Sequence, residues 1–396
     1  MNEHAVSAVR CDGYDPDLIK AAMDRLFEPI DALDFVKPGA TVAIKVNLVA
    51  AMKPEKAATT HPALVTELCR RIVERGATPV VGDSPGGPFT GLYLKGIYSS
   101  TGMTAIEKVG GRLNSDFDTV RCESFPEAEV LKNFTYSSWL ANADAVINFA
   151  KLKTHGMMGM SAAVKNLFGA IPGTIKPEYH YRFPNAKDFA NMLIDIDEYV
   201  KPSLSIVDGI VGMEGNGPTV GDPRHIGVLA ASRSPYDLDT FCASVIGLSA
   251  DKVPTLQLAI ERGLGRTIDK IEVVGDGADV GIPDFKNIER ANDIEFFTGL
   301  LGLKGKFLNR IAKWALSTRP KLKRSECVGC KRCDGICPAG AITMKGGKPR
   351  IDRGVCIRCF CCQEFCPKGA LKVHRPLVAR ILTKSDSSVK KKKRSA

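Results

Sequence analysis

No run in this sequence approaches the ~18 consecutive apolar residues of a membrane-spanning helix, so a helical integral membrane protein is not expected. The opening MNEHAVSAVRCDGYDP has no basic start followed by an apolar stretch, so no export signal is expected. That reading places the protein in the cytoplasm, where thiols stay reduced. The phosphate-cradling pattern GxxxxGK(S/T) is missing, and no GxGxxG with a downstream acid follows a strand. No flavin or nicotinamide motif is readable.

The bulk composition fits a globular protein. Hydrophobic residues make up 44% and charged residues 25% of the 396 positions, enough for an ample core. At about 150 residues per domain the length implies two to three domains. Charge is unevenly placed. From Lys304 to Ala396 there are 25 Lys and Arg against 5 Asp and Glu, a net of +20, whereas residues 1–303 hold 30 against 39, a net of −9.

Thirteen cysteines are present, and eight form two matching runs. The first is Cys327-x2-Cys330-x2-Cys333-x3-Cys337-Pro338, the second Cys356-x2-Cys359-x2-Cys362-x3-Cys366-Pro367. Each has the ligand spacing of a bacterial-type [4Fe–4S] ferredoxin, whose cube needs four soft thiolates. In two-cluster ferredoxins the fourth cysteine of each run crosses to the other cube. Cluster one is therefore expected on Cys327, Cys330, Cys333 and Cys366, and cluster two on Cys356, Cys359, Cys362 and Cys337. Paired zinc sites lack the third CxxC step and the closing Cys-Pro. Oxidised thiols of a disulfide framework would not hold iron. Cys361 reads as a spare buried thiol, or else as a regulatory or substitute ligand. Cys11, Cys69, Cys122 and Cys242 have no ligand spacing and read as ordinary buried residues.

Ahead of the cysteines, strand-like runs alternate with helical ones. Residues Thr41–Asn47 read as a buried strand, His61–Gly76 as an amphipathic helix closed by glycine, and Thr78–Gly82 as the next strand. Ala145–Asn148 and Leu204–Asp208 are further short strands, and Ile271–Gly275 another. The alternation predicts an α/β fold, a mostly parallel sheet in Rossmann-like layers, with a small α+β dicluster module attached. The expected domains are residues 1–317, with a helical connector at about 295–317, then 318–378, then a basic, disordered tail at 379–396. The cations near the cysteines would answer the negative charge of the cubes. The lysine tail is a solvated segment or a contact for an anionic partner or membrane surface. No aromatics interleave with it, which argues against nucleic acid.

Ligands of parallel sheets sit beyond the carboxyl ends of the strands, so the polar residues there are candidates. They are Lys45 and Asn47, His61 at the helix start, Asp83 in Gly82-Asp83-Ser84-Pro85-Gly86-Gly87, Lys153 and His155 beside Lys151, then Lys165, His180, Asp208 and Glu214. Each has a plain structural reading as a turn, cap or core residue. The grouping of His155 with Lys151, Lys153 and Lys165 is how cations gather around an anion. That points to a small anionic substrate or cofactor, with His155 as proton donor and Lys165 as its catalytic companion.

The segments KVN, the His-Pro helix start, GDSPGG, NxxKLKTH, AVKNLFGxxPG and DGIxGMEGxGP together resemble the DUF362 family, a domain of unknown function. The resemblance covers about residues 5–300 and the cysteine module, which many members carry. It implies an α/β body, two [4Fe–4S] clusters and an uncharacterised redox or binding role. The order His155, Gly159-Met160-Ser161, Lys165, Pro172-Gly173, His180 is also distantly similar to the lactate racemase catalytic domain. There a lysine anchors a nickel-pincer nucleotide, and histidines act as base and metal ligand. Here Ser161-Ala162-Ala163 stands where that family has a glycine pair.

Three functions are consistent with these patterns. The first is an iron–sulfur oxidoreductase component that takes single electrons from a ferredoxin or reductase and passes them to the body. The second is an electron-transfer or interaction protein without its own active site. The third is a metal-dependent isomerase resembling lactate racemase. A further organic or metal cofactor is not readable from the residues.

Overall fold

A computed structural model describes residues 5–288 and 318–374. The connector at about 295–317 and the tail at 379–396 lie outside the described residues. The chain divides into two compact units, residues 1–287 and 288–396, called here the body and the module. Among the described residues no helix is long and apolar enough to cross a membrane.

The body is built on a sheet of nine strands. They are β1 (Val6–Arg10), β2 (Thr41–Val46), β3 (Thr78–Gly82), β4 (Arg112–Leu113), β7 (Ala145–His155), β8 (Gly159–Ser161), β9 (Leu204–Glu214), β10 (Asp222–Ser232) and β11 (Val273–Val274). Strands β5 (Thr119–Cys122) and β6 (Phe134–Ser137) form a separate antiparallel pair. The order across the sheet is β11-β1-β10-β9-β7-β2-β3-β4, with β8 paired to β7. The run from β9 through β7, β2 and β3 to β4 is parallel, while β10 is antiparallel to both β1 and β9. The β2 sequence TVAIKV is β-branched and buried on both faces, as a central parallel strand requires.

Helices cover both faces. The helix Pro62–Glu74 starts at His61, whose side chain accepts from Ala63 N, and has proline at its first position. Gly76, at φ 76°, ends it. Its Leu64, Leu68 and Ile72 join Ile44 and Phe149 in one core cluster, together with Ile19 and Met23 of helix Pro16–Phe27. The opposite face packs Leu152 and Val207 against Leu238 and Phe241 of helix Pro235–Val245.

Two strands run longer than their apolar cores predict. β7 continues through Lys151, Lys153 and His155, and β9 continues through Glu214. The short apolar runs mark only where these strands begin. Their polar continuations stay strand because the neighbouring strands and side chains satisfy them, which local sequence does not display.

The module contains two antiparallel pairs. β12 (Arg319–Leu322) pairs with β15 (Leu371–His374), and β13 (Ile342–Lys345) with β14 (Lys348–Ile351). A four-residue helix follows within each cysteine run, Arg332–Gly335 and Cys361–Glu364. The apolar core is small: Cys333, Ile342, Cys362 and Leu371 are its buried members.

Candidate functional site

In the module the sequence repeat is a structural repeat. Cys327, Cys330 and Cys333 line one cavity together with Cys366 from the other run. Cys337 lies instead with the second run. Burial raises the Cys362 thiol, and the negative neighbours adding to this are Cys359, Cys356, Cys337 and, last, Cys333. Burial likewise raises Cys356, with Cys359 and Cys337 adding to it.

Each half donates one backbone N–H to its last sulfur: Ala341 N to Cys337 Sγ at 3.3 Å and Ala370 N to Cys366 Sγ at 3.2 Å. Hydrogen bonds of this kind stabilise thiolate and tune a cluster. The Cys361 thiol is buried and hydrogen-bonds the Cys359 sulfur. Among the described residues no three His, Cys, Asp or Glu side chains converge on a single metal-ion position. A cube asks for a different arrangement, one thiolate on each of four irons spread over a larger body. Four sulfurs around one cavity, with N–H donors and surrounding cations, fit that group.

In the body, the candidates are drawn into a largely buried network at the carboxyl ends of β2 and β7. Helix Pro62–Glu74 leaves the end of β2 toward one core cluster, while Ala163, just past β8, lies in the other. Neighbouring strands whose connections depart to opposite faces create the crevice where open α/β sheets take ligands.

Asn166 is the hub of this crevice. Its Oδ1 accepts from Lys45 Nζ and from Asn47 Nδ2, each at 3.0 Å, and its Nδ2 donates to Asn148 Oδ1 at 2.8 Å. Lys45 Nζ also contacts Asp83 Oδ1 at 2.9 Å and donates to Val46 O at 2.8 Å. Three acceptors therefore surround the three N–H bonds of Lys45. Burial lowers its pKa and Asp83 opposes that shift. Asn47 Oδ1 accepts from Lys153 Nζ at 2.9 Å, and Ala58 O accepts from it at 2.7 Å.

Lys151, Asp208, Tyr14 and His61 form a second group. Lys151 Nζ donates to Asp208 Oδ2 at 2.8 Å and to Tyr14 OH at 3.0 Å, while Tyr14 OH donates to Asp208 Oδ1 at 2.8 Å. His61 N donates to Asp208 Oδ2 at 3.0 Å, and its ring stacks on Tyr14 with centroids 3.6 Å apart. Burial pulls His61 down to about 4.

Lys165 is half-buried, on the short helix Ala163–Asn166 that Asp239 caps by accepting from Ala163 N at 2.6 Å and Val164 N at 3.1 Å. Its ammonium lies 4.6 Å from the centre of the Phe168 ring, and that of Lys176 lies 5.5 Å from the same centre. His180 stacks on Phe189 at 4.4 Å. Burial drives His180 down to about 3, with Lys165 and Lys176 adding to the shift. Lys176 Nζ donates to Ser84 O, tying this group to the GDSPGG turn. Two glycines make the approach close. A Cβ on Gly169 would overlap Asp83 Oδ1 and Lys45 Cε, and one on Gly173 would overlap Pro85 O.

His155 and Glu214 have further partners of their own. His155 is paired with Gly159 across β7 and β8, and its Nδ1 accepts from Met157 N and Met158 N, both at 3.2 Å. The ring proton is therefore assigned to Nε2. Glu214 is buried, with Lys286 N at 3.1 Å and Lys286 Nζ at 3.0 Å. Tyr14 and Lys176 are members of these groups that sequence reasoning passed over, whereas Asn148 and Phe168 stood in the quoted segments NxxKLKTH and AVKNLFGxxPG. Asn166 lay inside a quoted motif, while nothing local marked Tyr14.

A doubly covered, mostly parallel sheet with a polar crevice, joined in one chain to a paired cysteine repeat, defines an iron–sulfur protein with an α/β body. The chain belongs to the family described as "Domain of unknown function (DUF362)", which matches residues 42–244, and residues 319–367 match a 4Fe-4S dicluster domain. It is thus an iron–sulfur electron-transfer protein by its module. It is 34% identical over 271 residues to the "Thylakoid-associated protein sll1697" of Synechocystis sp., covering 66% of this chain and 81% of that one. Among solved structures, the lactate racemase apoprotein from Thermoanaerobacterium thermosaccharolyticum aligns with a TM-score of 0.39 at 13% identity. That alignment takes in 63% of this chain, which spans 59% of the racemase's length.

Proposed function

We propose that this protein is an iron–sulfur oxidoreductase component: two [4Fe–4S] cubes in the module supply single electrons for the reduction of a small anion bound to the body. The observation that carries the module's part is the company of Cys366, which lines a cavity with Cys327, Cys330 and Cys333, while Cys337 neighbours the second run. This supports crossed ligation, with Cys327, Cys330, Cys333 and Cys366 on cluster one and Cys356, Cys359, Cys362 and Cys337 on cluster two. All-cysteine cubes supply one-electron transfer when bound.

The body's residues supply binding. Lys45 meets the Asp83 carboxylate, Lys165 and Lys176 share the Phe168 ring, and both Lys45 and His180 feel Lys165. Cations gathered in this way support an anion as the ligand. Lys45, held by Asp83, orders the crevice. Asn47 and Lys165, both half-buried, present an amide and an ammonium to it. His155 donates a proton from Nε2.

Anaerobic purification followed by iron and sulfide analysis tests the module. The expected result is four irons per cube, about eight per chain. Cys337→Ala is expected to damage cluster two more than cluster one by electron paramagnetic resonance; loss confined to cluster one would refute the crossed pairing. Mass spectrometry of co-purifying small molecules tests the body. An anion retained by the native protein and lost from Lys165→Ala is expected. Retention unaltered by that substitution would remove the crevice as the binding site.

A further inference from the structure

We infer that electrons enter the protein at cluster two, from an acidic electron-carrier protein that docks on Arg319, Lys321, Arg353, Arg358 and His374. This rests on the cluster assignment proposed above. Those five side chains line one cavity of about 320 Å³ in the module, and Cys356, a cluster-two cysteine, is in its wall. The described residues of the cavity wall include no Asp or Glu.

Like charges are held close there. Burial lowers Arg319, and Arg353 lowers it further. A site that gathers cations in this way is poised for an incoming anionic surface.

Arg358 gives an independent sign. It sits at φ 60°, in the left-handed region, and the matching position of the first run is Gly329 at φ 71°. The two runs are otherwise alike, since Lys331 and Phe360 also match, at φ 61° and 63°. An arginine therefore occupies a backbone position that its own repeat fills with glycine. A left-handed backbone is unfavourable for a non-glycine residue, and such positions cluster where function demands a side chain. Arg358 and Cys356 line the same cavity, so the arginine stands beside the cluster ligand.

The occupant is a macromolecule by the shape of its surroundings. Val355, next to Cys356, is 47% exposed, an apolar contact beside a charged rim as in protein interfaces. Residues 318–374 carry 13 Lys and Arg against 4 Asp and Glu, a net of +9, so the attraction extends beyond the cavity. The transfer is balanced without bond making: the reduced carrier loses one electron, cluster two gains it, and no proton moves.

The test uses the full chain and an acidic two-cluster ferredoxin as probe. Binding of the oxidised ferredoxin is measured by calorimetry across a salt series, and cluster reduction by stopped flow with the reduced ferredoxin and with dithionite. Lys321→Glu combined with Arg353→Glu is expected to weaken binding about tenfold or more and to flatten the salt dependence. Iron content and reduction by dithionite should stay native. Arg358→Gly is expected to leave the fold as stable or more stable while weakening binding; a purely structural Arg358 would not separate the two. Unchanged ferredoxin affinity in these variants would overturn the inference. So would equal loss from Lys331→Glu combined with Lys368→Glu at the cluster-one cavity. Inorganic phosphate binding that the variants abolish, with ferredoxin affinity intact, would assign the cavity to small anions instead. Self-association lost in the variants would assign it to a second copy of the chain. A native protein without cluster iron would fail at the underlying cluster reading, a result the metal analysis reports separately.

Discussion

In the body, Lys45 and Lys151 are withdrawn from water and each meets a carboxylate, Asp83 and Asp208. In the module, Arg319, Arg353 and Arg358 gather around a cavity with Cys356 in its wall. The difference follows from how each region is held together. The body has two extensive apolar clusters, one on each face of its sheet, and can afford buried ion pairs that add specificity more than stability. The module has a handful of buried apolar residues, several of them cysteines. A core that small needs a metal centre to hold it.

The most severe way to break this comparison is to remove iron. Chelation under reducing conditions is expected to melt residues 318–374 and to leave residues 5–288 folded. Hydrogen exchange by mass spectrometry should show full loss of protection in the first range and none in the second. Uniform loss across both would show that the body also depends on the clusters.

Asp208→Asn probes the body's side. It leaves the Lys151 ammonium buried without its carboxylate, and breaking such a pair costs about 3–5 kcal/mol. Urea unfolding would read this directly, and a change under 1 kcal/mol would mean that solvent reaches Lys151. Gly169→Ala should cost somewhat less, about 1–3 kcal/mol, as expected for overpacking, because its methyl would wedge between Lys45 and Asp83.

The subtlest test is pH. His180 is driven down to about 3 by burial, then by Lys165 and Lys176. Between that value and its ordinary 6.5 the unfolded chain binds a proton that the folded chain refuses. Stability contributed here is therefore present above about pH 6.5 and falls as pH falls. At pH 5 the loss is about 2 kcal/mol. His180→Phe should flatten that slope in urea titrations at pH 7 and pH 5; an unaltered slope would place the titration elsewhere.

How much was legible can be traced residue by residue. The strand at Thr78–Gly82 was readable to its ends, because apolar, β-branched residues stop at a glycine and a turn. The helix after His61 was readable from Pro62, its apolar spacing and Gly76. Strand β7 was readable only at its start, because Lys151 and Lys153 look like loop residues until their partners are known. The candidate list held Lys45, Asn47, Asp83 and Lys153, yet missed the Asn166 hub. An asparagine carries no local mark of whether its amide will meet water or two buried donors.

The sequence alone determined the two cysteine runs, their likeness, the alternation of strand and helix, and the charge contrast between the regions. These are short-range properties, set by spacing along a covalent chain and by counts. Only the tertiary structure decided that Lys151 would meet Asp208, 57 residues away, and Tyr14, 137 residues away. It also gave Arg358 the left-handed backbone that Gly329 has in the first run. Such pairings depend on loop closure and on the packing of whole layers, and no local interval encodes either.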